Sequence, residues 1–318
     1  MTEPEFASDD PTASGVVVRR PADSGWEYLV LHRAHEGPDG DWAWTVPTGR
    51  RRPTEPVLAG ARRELAEETG IDDGEPWAVD LAGWWAIWAV TVPPDVGIDL
   101  VDAEHDRFEW LPAERAAERI KPCSVAEQTV LKVDAIPEVD IDFRRMTRDD
   151  LPTYVDWQLA PHARRWFHAG RMDLAEAERR YGPRIDGDVP TRMWVARVDG
   201  RDVGMVQDYR VGDHDEYAAK TGDPEAAAFD YLIGDPDLVG RGIGTRLVGQ
   251  FLRERLRPAY PDAPRFLASP DYRNRASLRL LDKLGFRQGL WIDEPATSEY
   301  DPPETEIVCT LDVAHWYG

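Results

Sequence analysis

Apolar and polar residues recur along the chain with two different periods, and these periods predict where strands and helices lie. Alternation at every second residue is typical of strands, and apolar residues three and four positions apart are typical of helices. In the first half, this pattern and the local content of Trp, Val, Ala and Glu predict strands at residues 15–20, 26–33, 77–92 and 108–111, and helices at residues 56–69 and 112–119.

Strands and helices alternate in the second half of the chain, which favours an α/β sheet. The predicted strands lie at residues 192–198, 202–210, 229–233, 265–269 and 304–311, and the predicted helices at residues 243–256 and 274–284. An Asp-Gly pair joins the first two of these strands and predicts a hairpin turn.

Residues 133–142 separate the two halves, because they combine acids with a proline and show no helical period. A length of 318 residues with 42% hydrophobic residues is enough for two domains that each bury a core. We therefore expect residues 1–13 to be a disordered tail, residues 14–135 to form the first domain, and residues 142–318 to form the second.

Composition argues against several classes of protein. No apolar run is long enough to cross a bilayer, and the acidic, polar N-terminus does not resemble a secretion signal. The two cysteines, Cys123 and Cys309, argue against a disulfide framework and favour the cytoplasm. A formal net charge of -22 argues against a nucleic-acid or membrane-surface partner.

Charge is distributed unevenly within the second half. Residues 211–237 contain eight acids and one base, Lys220, whereas residues 241–290 contain eleven bases and four acids. The first stretch would favour a cationic small molecule and the second a polyanionic ligand. The alternative is that both stretches are ordinary solvated surfaces.

A cluster of carboxylates lies on the predicted helix at residues 56–69. Glu64, Glu67 and Glu68 are spaced i, i+3 and i+4, so their side chains share one face of that helix. Three hard oxygen donors on one face suit Mg²⁺ or Mn²⁺, which can bridge phosphate oxygens and activate a water. Arg63 precedes Glu67 by four residues and can hold its carboxylate in place. The alternative is a solvated acidic face with ion pairs inside the helix.

The segment at residues 49–71, GRRRPTEPVLAGARRELAEETGI, resembles the Nudix box. Its matching positions are Gly49, Glu55, Arg63, Glu64, Leu65, Glu67, Glu68, Gly70 and Ile71. The resemblance implies an α/β/α sandwich that hydrolyses a nucleoside diphosphate linked to another group, a nucleotide-like pyrophosphate. It further implies Glu64, Glu67 and Glu68 as metal ligands, with Glu67 and Glu68 as catalytic candidates.

Downstream, the segment EHDRFEWLP places Glu104, His105 and Trp110 much as in Nudix hydrolases of pterin triphosphates or dinucleoside polyphosphates. Glu104 is therefore predicted as a further metal ligand, and a plain loop acid is the alternative. The loop before the helix departs from the family, since Arg50, Arg51 and Arg52 stand where an acid is usual. These arginines either bind additional phosphate or are solvated.

A glycine-rich segment, VGRGIGT, precedes the predicted helix at residues 243–256. Glycines at positions 240, 242 and 244 let a backbone approach a pyrophosphate, whose charge a helix N-terminus would favour. A tight turn between strand and helix is the alternative. The later order of strand, Asn274, helix and LDKLGF resembles the GNAT acetyltransferases, which have a mixed-sheet α/β fold. The resemblance implies acetyl-CoA as cosubstrate, bound by Val239, Gly240, Arg241, Gly242, Ile243, Gly244, Thr245 and Asn274.

Within that family, residues 143–313 most resemble aminoglycoside 6'-N-acetyltransferases and their siderophore-acylating relatives. The resemblance assigns Asp230, ten residues before Gly240, as the carboxylate that binds or deprotonates the acceptor amine. It implies an acceptor pocket with Trp157, Trp166, Gln207, Tyr209 and Asp271. For the three aromatic residues, core packing is the alternative.

Two departures from the transferase pattern bear on mechanism and substrate. Leu281 stands where many GNAT enzymes have a tyrosine that protonates the leaving thiolate, and Ser269 replaces an acid that contacts aminoglycosides. Asp271 is a candidate replacement for that acid. We expect a bifunctional, antibiotic-modifying enzyme that acetylates a cationic amine. The alternatives are a siderophore-type or protein-amine acceptor, with the Nudix half acting as a nucleotide-binding regulatory module.

Overall fold

The computed structural model describes residues 6–38, 40–101, 103–166, 172–295 and 303–318. The chain divides into two compact units. The first comprises Met1–Pro137, Lys283–Gly285 and Ala314–Gly318, and the second comprises Glu138–Asp282 and Phe286–Val313. Each unit is built around its own mixed β-sheet with helices packed on it, which confirms the predicted α/β class.

The first half of the chain forms seven described strands and four helices. The strands are β1 (Ala13–Ala22), β2 (Gly25–Arg33), β3 (Trp44–Thr45), β4 (Thr48–Arg50), β5 (Trp77–Asp80), β6 (Trp85–Thr91) and β7 (His105–Leu111). The helices are α1 (Val57–Thr69), α2 (Ala113–Arg119), α3 (Cys123–Gln128) and α4 (Val130–Asp134). Strand β1 is parallel to β6 and antiparallel to β2 and β4, so it lies at the centre of the sheet.

The central position of β1 follows from its sequence. Val16, Val17 and Val18 are fully buried, as expected for a strand that is covered on both faces. On one face, α1 packs the apolar side that contains Val57, Ala61 and Leu65, and this leaves its carboxylates beside β4. The acidic face of α1 therefore lies beside β4, the strand that precedes this helix in the chain.

Two predictions for the first unit are wrong in detail. Residues 77–92 form two antiparallel strands, β5 and β6, because the chain turns at residues 81–84. Residues 6–13 are not a disordered tail: the Ala7 amide donates to the Arg51 carbonyl at 2.9 Å, and Arg51 donates to the Pro11 carbonyl. Residues 1–5 of the predicted tail lie outside the described residues.

The second half of the chain has a longer list of elements. The strands are β8 (Ile141–Arg145), β9 (Thr191–Val198), β10 (Arg201–Arg210), β11 (Ala227–Ile233), β12 (Arg265–Ala268), β13 (Arg287–Glu294) and β14 (Glu304–Asp312). The helices are α5 (Leu151–Leu159), α6 (Leu174–Asp186), α7 (Asp215–Thr221), α8 (Ile243–Phe251), α9 (Arg257–Ala259), α10 (Arg275–Lys283) and α11 (Val313–Trp316). The spatial strand order is β13-β14-β12-β11-β10-β9-β8.

The predicted strands of this half and the hairpin of β9 and β10 are confirmed, and the predicted helix at residues 243–256 is α8 followed by a π-helical turn. Helix α6 was not predicted from the sequence. It combines many charges with Gly182 and Pro183, which weaken the helical signal. None of the helices in the described ranges has the length and apolarity to cross a bilayer.

Strands β11 and β12 diverge within the second sheet. They are parallel, and their described ladder ends at the pairs Ala227–Phe266 and Ala228–Leu267. Strand β11 continues to Ile233 and stays paired with β10 along that whole length. The sheet is consequently open on one side of β11 from Phe229 onward.

Candidate active sites

The carboxylate site of the first unit is built by α1 and by β4, which crosses close to that helix. A Cβ atom added to Gly49 would lie 2.1 Å from Cδ of Glu64, so the glycine leaves room for the Glu64 carboxylate directly against β4. The Thr48 amide donates to Oε2 of Glu68 at 2.9 Å. Glu64 and Glu68 are consequently held in buried positions under the loop that precedes the helix.

Arg63 joins three carboxylates of this site. Its Nε donates to Glu55 Oε1 at 2.8 Å, and its Nη1 donates to Glu64 Oε1 at 2.7 Å and to Glu67 Oε2 at 2.9 Å. The last contact confirms the predicted pairing of Arg63 with Glu67. Burial raises the pKa of Glu64, and the Arg63 guanidinium opposes that rise. The arginine thus stabilises ionised carboxylates in a partly buried position.

Among the described residues, one group has the spacing of a metal site. Ligand atoms of Glu68, Glu104 and His105 lie within 4.8 Å of one another, with Glu68 and His105 buried and Glu104 exposed. Two carboxylates and an imidazole fit a divalent ion, and the imidazole favours Mn²⁺ over Mg²⁺, which prefers oxygen ligands throughout. The structure thus brings two predicted ligands together and adds His105, whereas Glu64 and Glu67 are not part of this close group.

The arginine loop has a largely structural role. Arg51 is 2% exposed, and it donates to the Pro11 and Glu55 carbonyls and pairs with Asp9. Arg52 Nη2 donates to Glu67 Oε1 at 3.0 Å. Arg50 is exposed, and its guanidinium lies over the Phe6 ring, 4.5 Å from the centroid.

The glycine loop of the second unit ends at the N-terminus of α8. Gly240 and Gly242 adopt φ values of 77° and 81°, which other residues rarely adopt, and Gly242 caps the helix. The first-turn amides of α8 therefore face out of the helix end, as the predicted pyrophosphate site requires. The assignment of residues 239–245 to coenzyme A remains a prediction.

A cavity of about 310 Å³ lies at the point where β11 and β12 diverge. Its described lining includes five of the predicted site residues, namely Trp166, Gln207, Asp230, Asp271 and Asn274. Asn274 also accepts a hydrogen bond from the Ser277 amide through Oδ1 at 3.2 Å, so it caps α10. The strand opening and the start of α10 thus share one cavity.

Trp157 and Tyr209 are not part of the described lining. Trp157 packs on Gly234, where an added Cβ would lie 2.1 Å from the indole Cγ atom. The Tyr209 ring makes edge contacts with His214 at 4.6 Å and with Tyr217 at 6.1 Å between centroids. Core packing, the alternative for both aromatic residues, is therefore what the structure supports.

Asp230 is half-buried at the cavity wall on β11. Burial raises the pKa of this carboxyl, and hydrogen bonding from Gln207 and the charges of Arg184 and His214 oppose the rise. Gln207 Nε2 donates to Asp230 Oδ2 at 2.7 Å. A carboxyl whose pKa is raised in this way is suited to accept a proton from an amine.

Glu306 is an additional acid of this cavity, and sequence reasoning missed it. Burial and the nearby charge of Asp230 raise its pKa to about 8. It lies on β14 with Glu304, which also lines the cavity. Residues two apart on a strand share a face, so that period was the signal available in the sequence.

The two departures noted in the sequence have distinct structural settings. Ser269 Oγ is hydrogen-bonded to the Tyr217 hydroxyl at 2.6 Å, and Leu281 is fully buried. The hydroxyl groups of Tyr231 and Ser277 lie 2.5 Å apart, and both residues line the cavity. The predicted acid Asp271 is itself paired with Arg273 at 2.6 Å.

Two family models match the chain in tandem. Residues 10–128 match the NUDIX domain, and residues 146–293 match the Acetyltransferase (GNAT) domain. The chain therefore contains a Nudix hydrolase domain followed by a GNAT acetyltransferase domain, as the two motifs indicated.

Individual proteins that resemble one of the two domains share about a quarter of their residues with this chain. Aminoglycoside N(6')-acetyltransferase type 1 of Klebsiella pneumoniae is 26% identical over 153 residues, which are 47% of this chain and 75% of that protein. A solved structure of aminoglycoside acetyltransferase AAC(6')-Ib with coenzyme A and kanamycin is 24% identical, with a TM-score of 0.47, and covers 54% of this chain and 95% of its own. A C. elegans Ap4A hydrolase complex is 23% identical, with a TM-score of 0.32, and covers 39% of this chain and 94% of its own.

Proposed function

We propose that the second domain transfers an acetyl group from acetyl-CoA to a primary amine of a cationic small molecule, with an aminoglycoside 6'-amine as the leading acceptor. The observation that carries the proposal is the position of Asp230, at the wall of a cavity formed where β11 leaves β12. The 26% identity to an aminoglycoside N(6')-acetyltransferase supports the choice of acceptor. Such an activity would modify antibiotics in the cytoplasm.

In the proposed reaction, the amine nitrogen attacks the thioester carbonyl carbon. The new C–N bond forms as the C–S bond breaks, the ammonium proton passes to Asp230, and the thiolate takes a proton from the cavity. The side of residues 229–233 that faces β12 has no described ladder partner, so main-chain groups there are available to orient the thioester. Tyr231, paired with Ser277, is the hydroxyl group best placed to supply the thiolate proton.

The charge of the described cavity lining supports a cationic acceptor. Four acids line it, namely Asp230, Asp271, Glu304 and Glu306, against two bases, Arg180 and Arg184. Because Ser269 is not acidic, we assign to Glu306 the second ammonium contact that the resemblance assigned to that position. Binding of a cation beside Glu306 would favour its ionised form.

The test is thiol release from acetyl-CoA with kanamycin-like aminoglycosides, a hydroxylamine siderophore precursor and a lysine peptide as parallel acceptors. We expect turnover with the aminoglycosides and its loss in Asp230→Asn, with acetyl-CoA binding retained. Turnover confined to the siderophore precursor or to the peptide would refute the aminoglycoside assignment. Equal turnover by Asp230→Asn would remove this residue from the chemistry.

For the first domain, we propose metal-dependent hydrolysis of a pyrophosphate within a nucleoside diphosphate-linked substrate. Glu68, Glu104 and His105 would hold the Mg²⁺ or Mn²⁺ of such a reaction, and the ion would neutralise charge on phosphate oxygens and lower the pKa of a bound water. Arg63 holds Glu64 and Glu67 in place beside that group through its hydrogen bonds. Glu67 is our candidate for the base that accepts the proton of the attacking water.

One observation favours the alternative of a nucleotide-binding regulatory module. Both carboxylate oxygens of Glu67 accept hydrogen bonds, one from Arg52 and one from Arg63. These bonds tie Glu67 to the arginine loop, which is what a purely structural side chain would do. Phosphate release from dinucleoside polyphosphates and nucleoside diphosphate sugars, with and without Mn²⁺, separates the two functions. Nucleotide binding without metal-dependent release would support the module.

A further inference from the structure

A chain of two hydrogen bonds leads from α6 to the carboxylate of Asp230. Arg184 Nη1 donates to Gln207 Oε1 at 2.8 Å, and Gln207 Nε2 donates to Asp230 Oδ2 at 2.7 Å. A guanidinium group has only donors, so the Gln207 amide must turn its oxygen toward Arg184 and its NH₂ group toward Asp230. Arg184 therefore determines which face of the amide meets the carboxylate.

Arg184 is itself held by the packing around α6. Its guanidinium lies over the Tyr181 ring, 5.4 Å from the centroid. The Tyr181 hydroxyl accepts a hydrogen bond from Gln158 at 2.9 Å, and the ring packs edge-on against Tyr154. Tyr154 and Gln158 are fully buried. The position of the arginine is thus set by a rigid part of the core.

We infer that Arg184 is a positioning residue for amine deprotonation, acting through Gln207 on Asp230. Gln207 occupies Oδ2 of the carboxylate, which leaves Oδ1 for the proton of the acceptor amine. The inference rests on the proposed acetyl transfer and extends it, because it gives a cationic side chain a role in a cavity that binds cations. It also assigns Gln207 a different role from the predicted one: Gln207 links Arg184 to Asp230, whereas the sequence predicted that it contacts the amine substrate.

Several charged and titratable groups act on Asp230 from the surrounding elements. Arg184 on α6 and His214, which precedes α7, lower the pKa of Asp230, whereas burial raises it. Tyr209, Tyr217 and Glu306 interact with the same carboxylate from β10, α7 and β14. Loss of Arg184 removes one of the lowering influences and loosens the bond from Gln207. The carboxyl would then stay protonated to a higher pH.

The kinetics would change differently if Arg184 contributed only its charge. If Arg184 were only a positive charge in the cavity wall, its removal would reduce repulsion toward a cationic acceptor. KM would then fall, and the acidic limb would still move to higher pH through the lost charge, but kcat above that limb would stay unchanged. The two views therefore differ in kcat above the limb, which falls only if Arg184 positions the base.

The experiment compares Arg184→Met with Arg180→Met in the full chain. Arg180 is a matched control, because it also lines the cavity beside Tyr181 and has no described bond to Gln207. For Arg184→Met we expect kcat to fall about tenfold, a part of what a well-placed base contributes. The acidic limb of the kcat/KM profile should move to higher pH, and Arg184→Lys should recover part of both. Arg180→Met should leave the limb in place.

The inference is overturned if Arg184→Met keeps the wild-type kcat above the acidic limb, whether or not the limb moves, or if Arg180→Met shifts that limb equally. A second measurement does not depend on turnover. A ¹³C NMR titration of the aspartate carboxyls, with Asp230→Asn to assign the signal, should show a higher pKa for Asp230 in Arg184→Met. An unchanged pKa would overturn the inference even if no acceptor were acetylated, whereas absent acetyl transfer with a shifted pKa would refute only the proposed function.

Discussion

The two domains place carboxylates in contrasting electrostatic settings. In the Nudix domain, Arg63 bonds Glu55, Glu64 and Glu67 on and beside one helix. Burial raises the pKa of Glu64 and Arg63 opposes that rise, whereas at Glu55 the arginine outweighs burial and the pKa is lowered. In the acetyltransferase domain, Asp230 and Glu306 share a cavity, and burial raises the pKa of each. Ionised carboxylates suit metal binding, whereas carboxylates that are easily protonated suit proton transfer and the capture of ammonium groups. The contrast teaches that the partners of an acid, more than its type, indicate its chemistry.

The strongest test of this contrast is Asp230→Asn. Loss of a general base should lower kcat for acetyl transfer by about 10²- to 10⁴-fold, because the amine then has no acceptor for its proton. Hydrolysis by the Nudix domain should be unchanged. Steady-state kinetics of both activities on one preparation measures the effect, and loss of both activities would show that the domains are not independent.

Glu68→Gln tests the metal side of the comparison. This residue is in the close group with Glu104 and His105, and we expect metal-dependent hydrolysis to fall about 100-fold or more, since ligands and their orientation strongly affect metal affinity. Mn²⁺ titration of the variant and of the wild type should show weaker binding. Wild-type metal affinity in Glu68→Gln would place the ion elsewhere.

Gly49→Ala tests whether the carboxylates of α1 depend on the close approach of β4. The new methyl group would lie 2.1 Å from Cδ of Glu64, so we expect a loss of about 1–3 kcal/mol in unfolding free energy and impaired hydrolysis. Gly37→Ala is the matched control, since nothing lies within 4 Å of its added Cβ. Denaturant unfolding of both variants measures the difference, and equal stability would show that β4 yields.

The smallest expected effect concerns Glu306→Gln. The pKa of Glu306 is raised to about 8 in the folded chain from an ordinary value of 4.5. Its ionisation therefore opposes folding as pH rises through that window, and the substitution should stabilise the protein more at pH 9 than at pH 6. Thermal melts at the two pH values check the sign. KM for a cationic acceptor should rise several-fold at pH 9, and an unchanged KM would remove Glu306 from acceptor binding.

The difference between the sites also explains how far the sequence predicted them. The Nudix motif lies on one loop and one helix, so spacing alone placed Arg63 beside Glu67. The partners of Asp230 come from α6, β10 and β14, and local periodicity does not report which distant elements meet. Most of the strands were predicted, whereas α6 was hidden by its charges and by Pro183.

The aromatic residues show the same limit. Trp166 lines the cavity, but Trp157 packs on Gly234 and Tyr209 packs beside Tyr217, although all three were predicted for the acceptor pocket. An aromatic ring has similar sequence surroundings in a core and in a pocket, so only the tertiary contacts distinguish the two. The acid that the sequence placed at Asp271 is paired with Arg273, and Glu306 was not foreseen.

The divergence of β11 from β12 has a consequence for how this cavity can change. The wedge between the two strands is made by main chains, whereas its walls are side chains from at least five separate elements. Exchange of one wall residue can therefore alter the shape and charge of the cavity, while the gap between the strands stays in place. Where Ser269 and Leu281 lack the acid and the hydroxyl of the family pattern, a residue on another wall could contribute the missing group. New acceptor preferences should consequently arise in this domain by single substitutions, without refolding of the sheet.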